Sequence, residues 1–127
     1  MKCAAIEVAA QDQGWRIERC VCVSDVGQVV NPSGVQAQLE GGTVDGISTA
    51  LGLEITVENG RIRQSNFDGY PLLRMPEAPR VETHLMPSAL TPCGAGEMGI
   101  PGAAPALANA VYAATGQRIR RLPMRRG

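Results

Sequence analysis

Apolar and polar positions alternate from Trp15 to Val23 with period two, which predicts a strand with one buried face. Lys2 to Val8, with Ala4, Ile6 and Val8 on one side, forms its hairpin partner across the polar turn Ala10 to Gly14. At Asn31-Pro32 the period changes: an N-cap residue is followed by proline at the first helical position, and Val35, Leu39, Ile47, Ala50 and Leu51 form an apolar stripe that ends at Gly52. Glu54 to Arg63 reads as a hairpin, because Asn59-Gly60 supplies the two positive φ angles of a type I′ turn. Residues 64–79 hold Pro71, Pro76 and Pro79 and read as an irregular extended loop. Arg80 to Met86 alternates again, placing His84 opposite Val81, Thr83 and Leu85 as an exposed strand residue and not a ligand. Leu107, Ala110, Val111 and Ala114 then recur at helical spacing up to Gly116, a C′ glycine, and Ile119 to Pro123 closes the chain as a short strand or extended segment. The order β-β-α-β-β-loop-β-α predicts an α+β fold, a mostly antiparallel sheet with two helices packed on one face, as one domain over residues 1–127.

The first helix carries Gly41, Gly42 and Gly46, which together cost it about 2.5 to 3 kcal/mol of helix propensity relative to alanine. Something must press closely on this face. The sheet or a neighbouring helix is one candidate and a bound cofactor is the other; helix propensity does not choose between them.

Composition narrows the partners. Lys+Arg and Asp+Glu are both 12 in 127 residues, so a net charge of +0 gives no long-range pull toward nucleic acid or an anionic membrane. Arg118, Arg120, Arg121, Arg125 and Arg126 crowd the C-terminus, which reads as a solvated end or a subunit-contact strip; with 3% aromatic residues there is little to stack on bases. Cys3, Cys20, Cys22 and Cys93 contain no Cys-x-x-Cys pair and His84 stands alone, which argues against zinc or iron-sulfur ligation by this chain. Cys20 and Cys22 share one strand face as small buried hydrophobes, and Cys93 reads as a thiol packed under the loop that carries Glu97. No apolar run reaches the ~18 residues of a membrane span and no signal-peptide core opens the chain, so the sequence reads as soluble and cytoplasmic. An export signal on a longer N-terminal part would make it periplasmic instead.

Candidate chemistry centres on Gly94-Ala-Gly-Glu97-Met-Gly-Ile-Pro101-Gly-Ala-Ala-Pro105, a single carboxylate in a glycine-rich loop that runs into a helix. On pattern alone a solvated or capping glutamate is the commoner reading, and a catalytic base the sharper one. Anion binding at the helix start is weakened by Pro105, which removes one N–H donor.

Three blocks carry a resemblance that changes this weighting. Gly96-Glu97-x-Gly99-x-Pro101-x-x-Ala104-Pro105-Ala106-x-Ala108-Asn109-Ala110, followed by Ala114-Thr115-Gly116 and Arg118 to Pro123, is similar to the C-terminal end of the large subunit of molybdenum hydroxylases, the xanthine oxidase and aldehyde oxidoreductase superfamily. Ser24-Asp25-Val-Gly27, Asn31-Pro32-x-Gly34 and Ala37-Gln38-x-Glu40-Gly41-Gly42 resemble the segment beside the pterin cofactor, and Gln64 to Pro79 resembles the following loop of the isoquinoline 1-oxidoreductase branch.

The resemblance implies a molybdenum-pterin enzyme that hydroxylates an N-heterocycle or an aldehyde with water as the oxygen source. It implies Glu97 as the general base and Gln38 as a cofactor hydrogen-bonding residue, leaving Asp25, Glu40 and Asp45 as capping or surface carboxylates. A carboxylate in partly dry surroundings is suited to the first role and an amide that donates and accepts is suited to the second. Family large subunits are several times longer, so the resemblance also implies a C-terminal fragment. Its partners would be the rest of the large subunit and an iron-sulfur small subunit, and alone it would bind no cofactor, be inactive and be prone to self-association. The rival reading is a non-catalytic folded fragment or interaction module.

Overall fold

A computed structural model describes residues 2–124, with the side chains of Lys2 and Cys3 left aside; Met1, the cysteine expectation at Cys3 and the basic positions Arg125 and Arg126 lie outside the described set. Strands β1 (Lys2–Ala10) and β2 (Trp15–Ser24) form the expected antiparallel hairpin, and β5 (Arg80–Leu85) adds to the other edge of β2 in parallel. Helices α1 (Pro32–Gly52) and α2 (Ala103–Thr115) cover the inner face of this sheet. The hairpin β3 (Val57–Glu58) and β4 (Arg61–Ile62) stands apart as a second small sheet. The fold is α+β with two helices on one face, as expected, and the sheet is mixed because β2 and β5 run the same way.

The single alternation read along β2 is broken by a bulge. Glu7 pairs with Arg19 but Val8 pairs with Ile17, so Glu18 is the extra residue and the inward face switches parity across it. Trp15 and Ile17 are buried before the bulge, and Cys20, Cys22 and Ser24 after it. Both cysteines therefore reach the core side as expected, while Val21 and Val23 are turned to the outer face and are half-buried. On that face Arg19 donates to Glu7 Oε1 at 2.6 Å and to Glu82 Oε1 at 3.5 Å, linking all three strands with partly exposed ion pairs that solvent screens.

The core gathers Trp15, Ile17 and Cys20 from β2, Ile47 and Ala50 from α1, and Ala103, Leu107 and Val111 from α2, with Met124 closing one end. The buried stripe on α2 recurs every four residues, so Ala110 is half-buried and Ala114 exposed, displaced from the stripe read in the sequence. Asn31 caps α1 by accepting from Gly34 N at 3.1 Å, and Gly116 (φ +74) ends α2 with its N–H donating to Tyr112 O at 2.8 Å. Asn59 (φ 50) and Gly60 (φ 76) make the tight turn between β3 and β4. Residues 64–79 are irregular, with one 3₁₀ turn at Phe67–Gly69 and another at Met75–Glu77, and are held to α1 where Leu73 N donates to the buried Ser48 Oγ at 2.9 Å. Ile119 to Pro123, expected as a strand or extended segment, pairs with no strand and bends from Arg121 to Pro123; just beyond it, Met124 N donates to Ala50 O at 2.7 Å.

Candidate active site

Parallel pairing of β2 and β5 sends the two following loops out from the same end of the sheet, the position at which α/β proteins place their ligands. The first loop runs from Asp25 to Asn31 into α1; the second runs from Met86 to Gly102 into α2. They are tied together by main-chain bonds: Met86 N to Ser24 O at 2.9 Å, Gln28 N to Leu90 O at 2.9 Å and Cys93 N to Val26 O at 3.0 Å. The Asp25 carboxylate accepts from Gly27 N at 3.0 Å. That bond, and next the Ser88 hydroxyl, hold the Asp25 carboxyl below its ordinary value. Asp25 is thus the loop-capping carboxylate expected of it, and Glu40 and Asp45 are exposed on α1.

Beyond Cys93 the second loop turns back and lies on α1. A Cβ placed on Gly99 would meet Gly42 C and Thr43 N at 2.5 Å, and one on Gly46 would meet Ile100 O at 2.6 Å and Ala103 Cβ at 2.8 Å. The pressure on the glycine face of α1 comes from the Glu97 loop itself, backbone against backbone. Gly41, the third glycine of that helix, has nothing within 4 Å of where a Cβ would be. It is not part of the contact.

This packing lays the segment that bears Glu97 against the helix that bears Gln38. Glu97 lies two residues before Gly99, and Gln38 lies four residues before Gly42, on the same side of α1 and about 6 Å along its axis. Both are exposed, and neither side chain has a hydrogen-bond or ion-pair partner among the described residues. Successive turns, Ile100 N to Glu97 O at 3.1 Å and Ala103 N to Ile100 O at 3.1 Å, lead from the carboxylate into α2. Since Glu97 is exposed, this chain alone does not supply the dry surroundings expected for a base. Cys93, expected to be packed beneath the loop, is exposed, while its main-chain N–H donates to Val26 O.

Two features were not marked by the sequence. Thr43, at the Gly99 contact, is 1% exposed, and its hydroxyl has no partner among the described residues. An open groove of about 640 Å³ borders the start of α1, with Gln28, Gln36, His84, Met86 and Ser88 on its walls; neither Gln38 nor Glu97 lines it. No group of three or more His, Cys, Asp or Glu side chains that could hold a metal occurs among the described residues, and no helix of the described chain is long and apolar enough to cross a membrane.

Comparison with known proteins places this geometry. Residues 1–79 match the molybdopterin cofactor-binding domain family, and the chain belongs to it. It is similar to the isoquinoline 1-oxidoreductase beta subunit of Brevundimonas diminuta, 40% identical over 109 residues covering 86% of this chain and 14% of that protein. It is 35% identical to a nicotinate dehydrogenase subunit from Pseudomonas putida over 109 residues, 85% of this chain and 9% of that one. The crystal structure of the aldehyde oxidoreductase from Desulfovibrio desulfuricans superposes with a TM-score of 0.75 at 28% identity over 90% of this chain and 13% of that one. The chain thus spans about a seventh or less of the length of these relatives. The family match includes Gln38 and stops before Glu97.

Proposed function

We propose that this chain is one domain, the C-terminal part of the large subunit of a molybdenum-pterin hydroxylase, acting on an N-heterocycle or an aldehyde with water as the oxygen source. Glu97 serves as the general base and Gln38 as a cofactor hydrogen-bonding residue. The observation that supports the reading is the contact of Gly99 and Ile100 with Gly42 and Gly46, which packs the segment bearing Glu97 on the helix bearing Gln38, more than fifty residues away in the chain.

The residues present suit such a group. The Gln38 amide is unpaired and can donate and accept at once, and Gly41 beside it leaves open space. With no protein ligand cluster among the described residues, a metal here would have to arrive carrying its own ligands, as a pterin dithiolene provides. When bound, the cofactor supplies the two-electron oxidation of the substrate carbon. Glu97, unpaired and set in a loop fixed by α1, accepts the proton released as the carbon–oxygen bond forms. The drying that makes a carboxylate an effective base is supplied by surfaces that close over the loop, which accords with partners formed by the rest of the large subunit and an iron-sulfur subunit. Alone, the chain carries too few converging contacts to hold the cofactor or to turn over substrate.

The test is Glu97→Gln in the complete enzyme, which keeps shape and reach but removes the base. The reductive half-reaction should slow about 10² to 10⁴-fold with little change in molybdenum content, while Glu40→Gln, exposed on α1, should stay within a few-fold. Equal slowing by the two substitutions would remove Glu97 from the role.

A non-catalytic interaction module is the second reading, favoured by exposed apolar side chains at Phe67 (76% exposed), Met75 (90%) and Val30 (89%). Protein isolated from its native host without molybdenum or pterin would support it.

A further inference from the structure

The glycines around the site fall into two sets. At Gly41, Gly94 and Gly96 an added Cβ would meet nothing within 4 Å. At Gly42 and Gly99 it would meet the opposing backbone, at 3.0 Å from Gly99 Cα in the first case and at 2.5 Å from Gly42 C in the second. None of these five has φ in the left-handed region, so backbone conformation does not demand glycine at any of them. At Gly42 and Gly99 the demand is for space alone. Gly46 is similarly confined, but its Cβ would also strike Ala103 in the core, so a change there disturbs the whole domain.

From this asymmetry we infer that Gly99, with Gly42 as its counterpart, is a positioning residue for the Glu97 carboxylate. This rests on Glu97 being the base. The Gly99 contact is the point at which the loop acquires a fixed distance from the helix that bears Gln38. An ordinary carbon contact of 3.4 Å or more, set against 2.5 Å, means that a methyl group on Gly99 drives the loop away from α1 by about 1 Å, and a displacement of that size at a reacting group is worth up to about 10²-fold in rate. The backbone of α1 cannot yield, since Thr43 N and Gly42 C are parts of its ladder. The movement falls on the loop, two residues from the carboxylate.

The experiment compares Gly99→Ala, Gly96→Ala and Glu97→Gln in the molybdenum-loaded enzyme containing this chain, reading kcat and KM per molybdenum together with metal and pterin content. Gly99→Ala should lower kcat per molybdenum about ten- to a hundred-fold, with KM and cofactor content within about two-fold of the parent. Gly96→Ala, one residue on the other side of Glu97, meets nothing within 4 Å in this chain and should lower kcat per molybdenum less than Gly99→Ala does; an equal or larger fall overturns the inference. A purely structural contact would instead lower cofactor content and yield while leaving kcat per molybdenum intact, and that result overturns the inference. If Gly99→Ala yields too little folded enzyme, Gly42→Ala takes its place: its contact needs a shift of only a few tenths of an ångström, so a smaller fall in kcat is expected, and an unchanged kcat there is equally fatal. The two ideas fail separately. A normal rate in Glu97→Gln removes the base, whereas a slow Glu97→Gln beside a normal Gly99→Ala removes only the positioning.

Discussion

The two loops that leave β2 and β5 side by side solve the same problem in opposite ways. The first is short and hydrogen-bonded along its length: within itself from Gly27 to Asp25, to the second loop between Gln28 and Leu90 and between Cys93 and Val26, and then at the Asn31 cap that starts α1. The second is long; it shares those bonds as far as Cys93, and beyond it the Glu97 segment is held where Gly99 and Ile100 lie directly on Gly42 and Gly46 with no side chain between. Hydrogen bonds consume the polar groups that hold a loop still. Close glycine packing holds it still and leaves the Glu97 side chain without a partner among the described residues.

Breaking the first loop gives the largest effect on stability. Gly27 has φ +76, and a Cβ there would lie 2.3 Å from Thr91 O, so Gly27→Ala combines left-handed strain with a main-chain clash where the two loops are joined. It should lower the unfolding free energy by about 2 to 4 kcal/mol in urea denaturation, and a loss below 1 kcal/mol would show that the loops are not tied as described. Gly41→Ala sharpens the contrast with its neighbour Gly42. Facing open space in mid-helix, it should stabilise the protein by about 0.5 to 1 kcal/mol, measured the same way; destabilisation would mean that something covers Gly41.

The smallest effect is a pH dependence. Because the Asp25 carboxyl is held below its ordinary value of 3.8, its contribution to stability is fully present above that value and is lost as pH falls through the folded-state value beneath it. Asp25→Asn keeps an oxygen to accept from Gly27 N but does not titrate. Urea midpoints measured from pH 5 down to pH 2 should fall less steeply for the variant, and parallel curves would sever the carboxylate from the loop.

Much of this protein was legible in its sequence because the signals are local. Asn31-Pro32 and Gly52 bounded α1, Asn59-Gly60 made its hairpin, and Gly116 stopped α2, since capping and left-handed turns depend on the few residues that make them. The blocks around Gln38 and Glu97 were legible as family patterns, and the first lies within the matched molybdopterin cofactor-binding domain. Less was legible where a position depends on its neighbour in space. Cys93 read as packed beneath a loop and is exposed. Thr43 and Ser48, which no sequence pattern marked, are buried, because the Glu97 loop covers the one and Leu73 N donates to the other.

The sequence by itself determined the order of the elements and the α+β class, which follow from periodicity, caps and turn chemistry acting over a few residues, while Gln38 and Glu97 were marked by a family pattern. The tertiary structure decided what those residues share. The bulge at Glu18 chose which side of β2 faces the core, the parallel pairing of β2 with β5 set the two loops together, and of three helix glycines only Gly42 and Gly46 were found against the Glu97 loop. Each of these depends on pairing or packing between different elements, and glycine has no side chain from which its partner could be read.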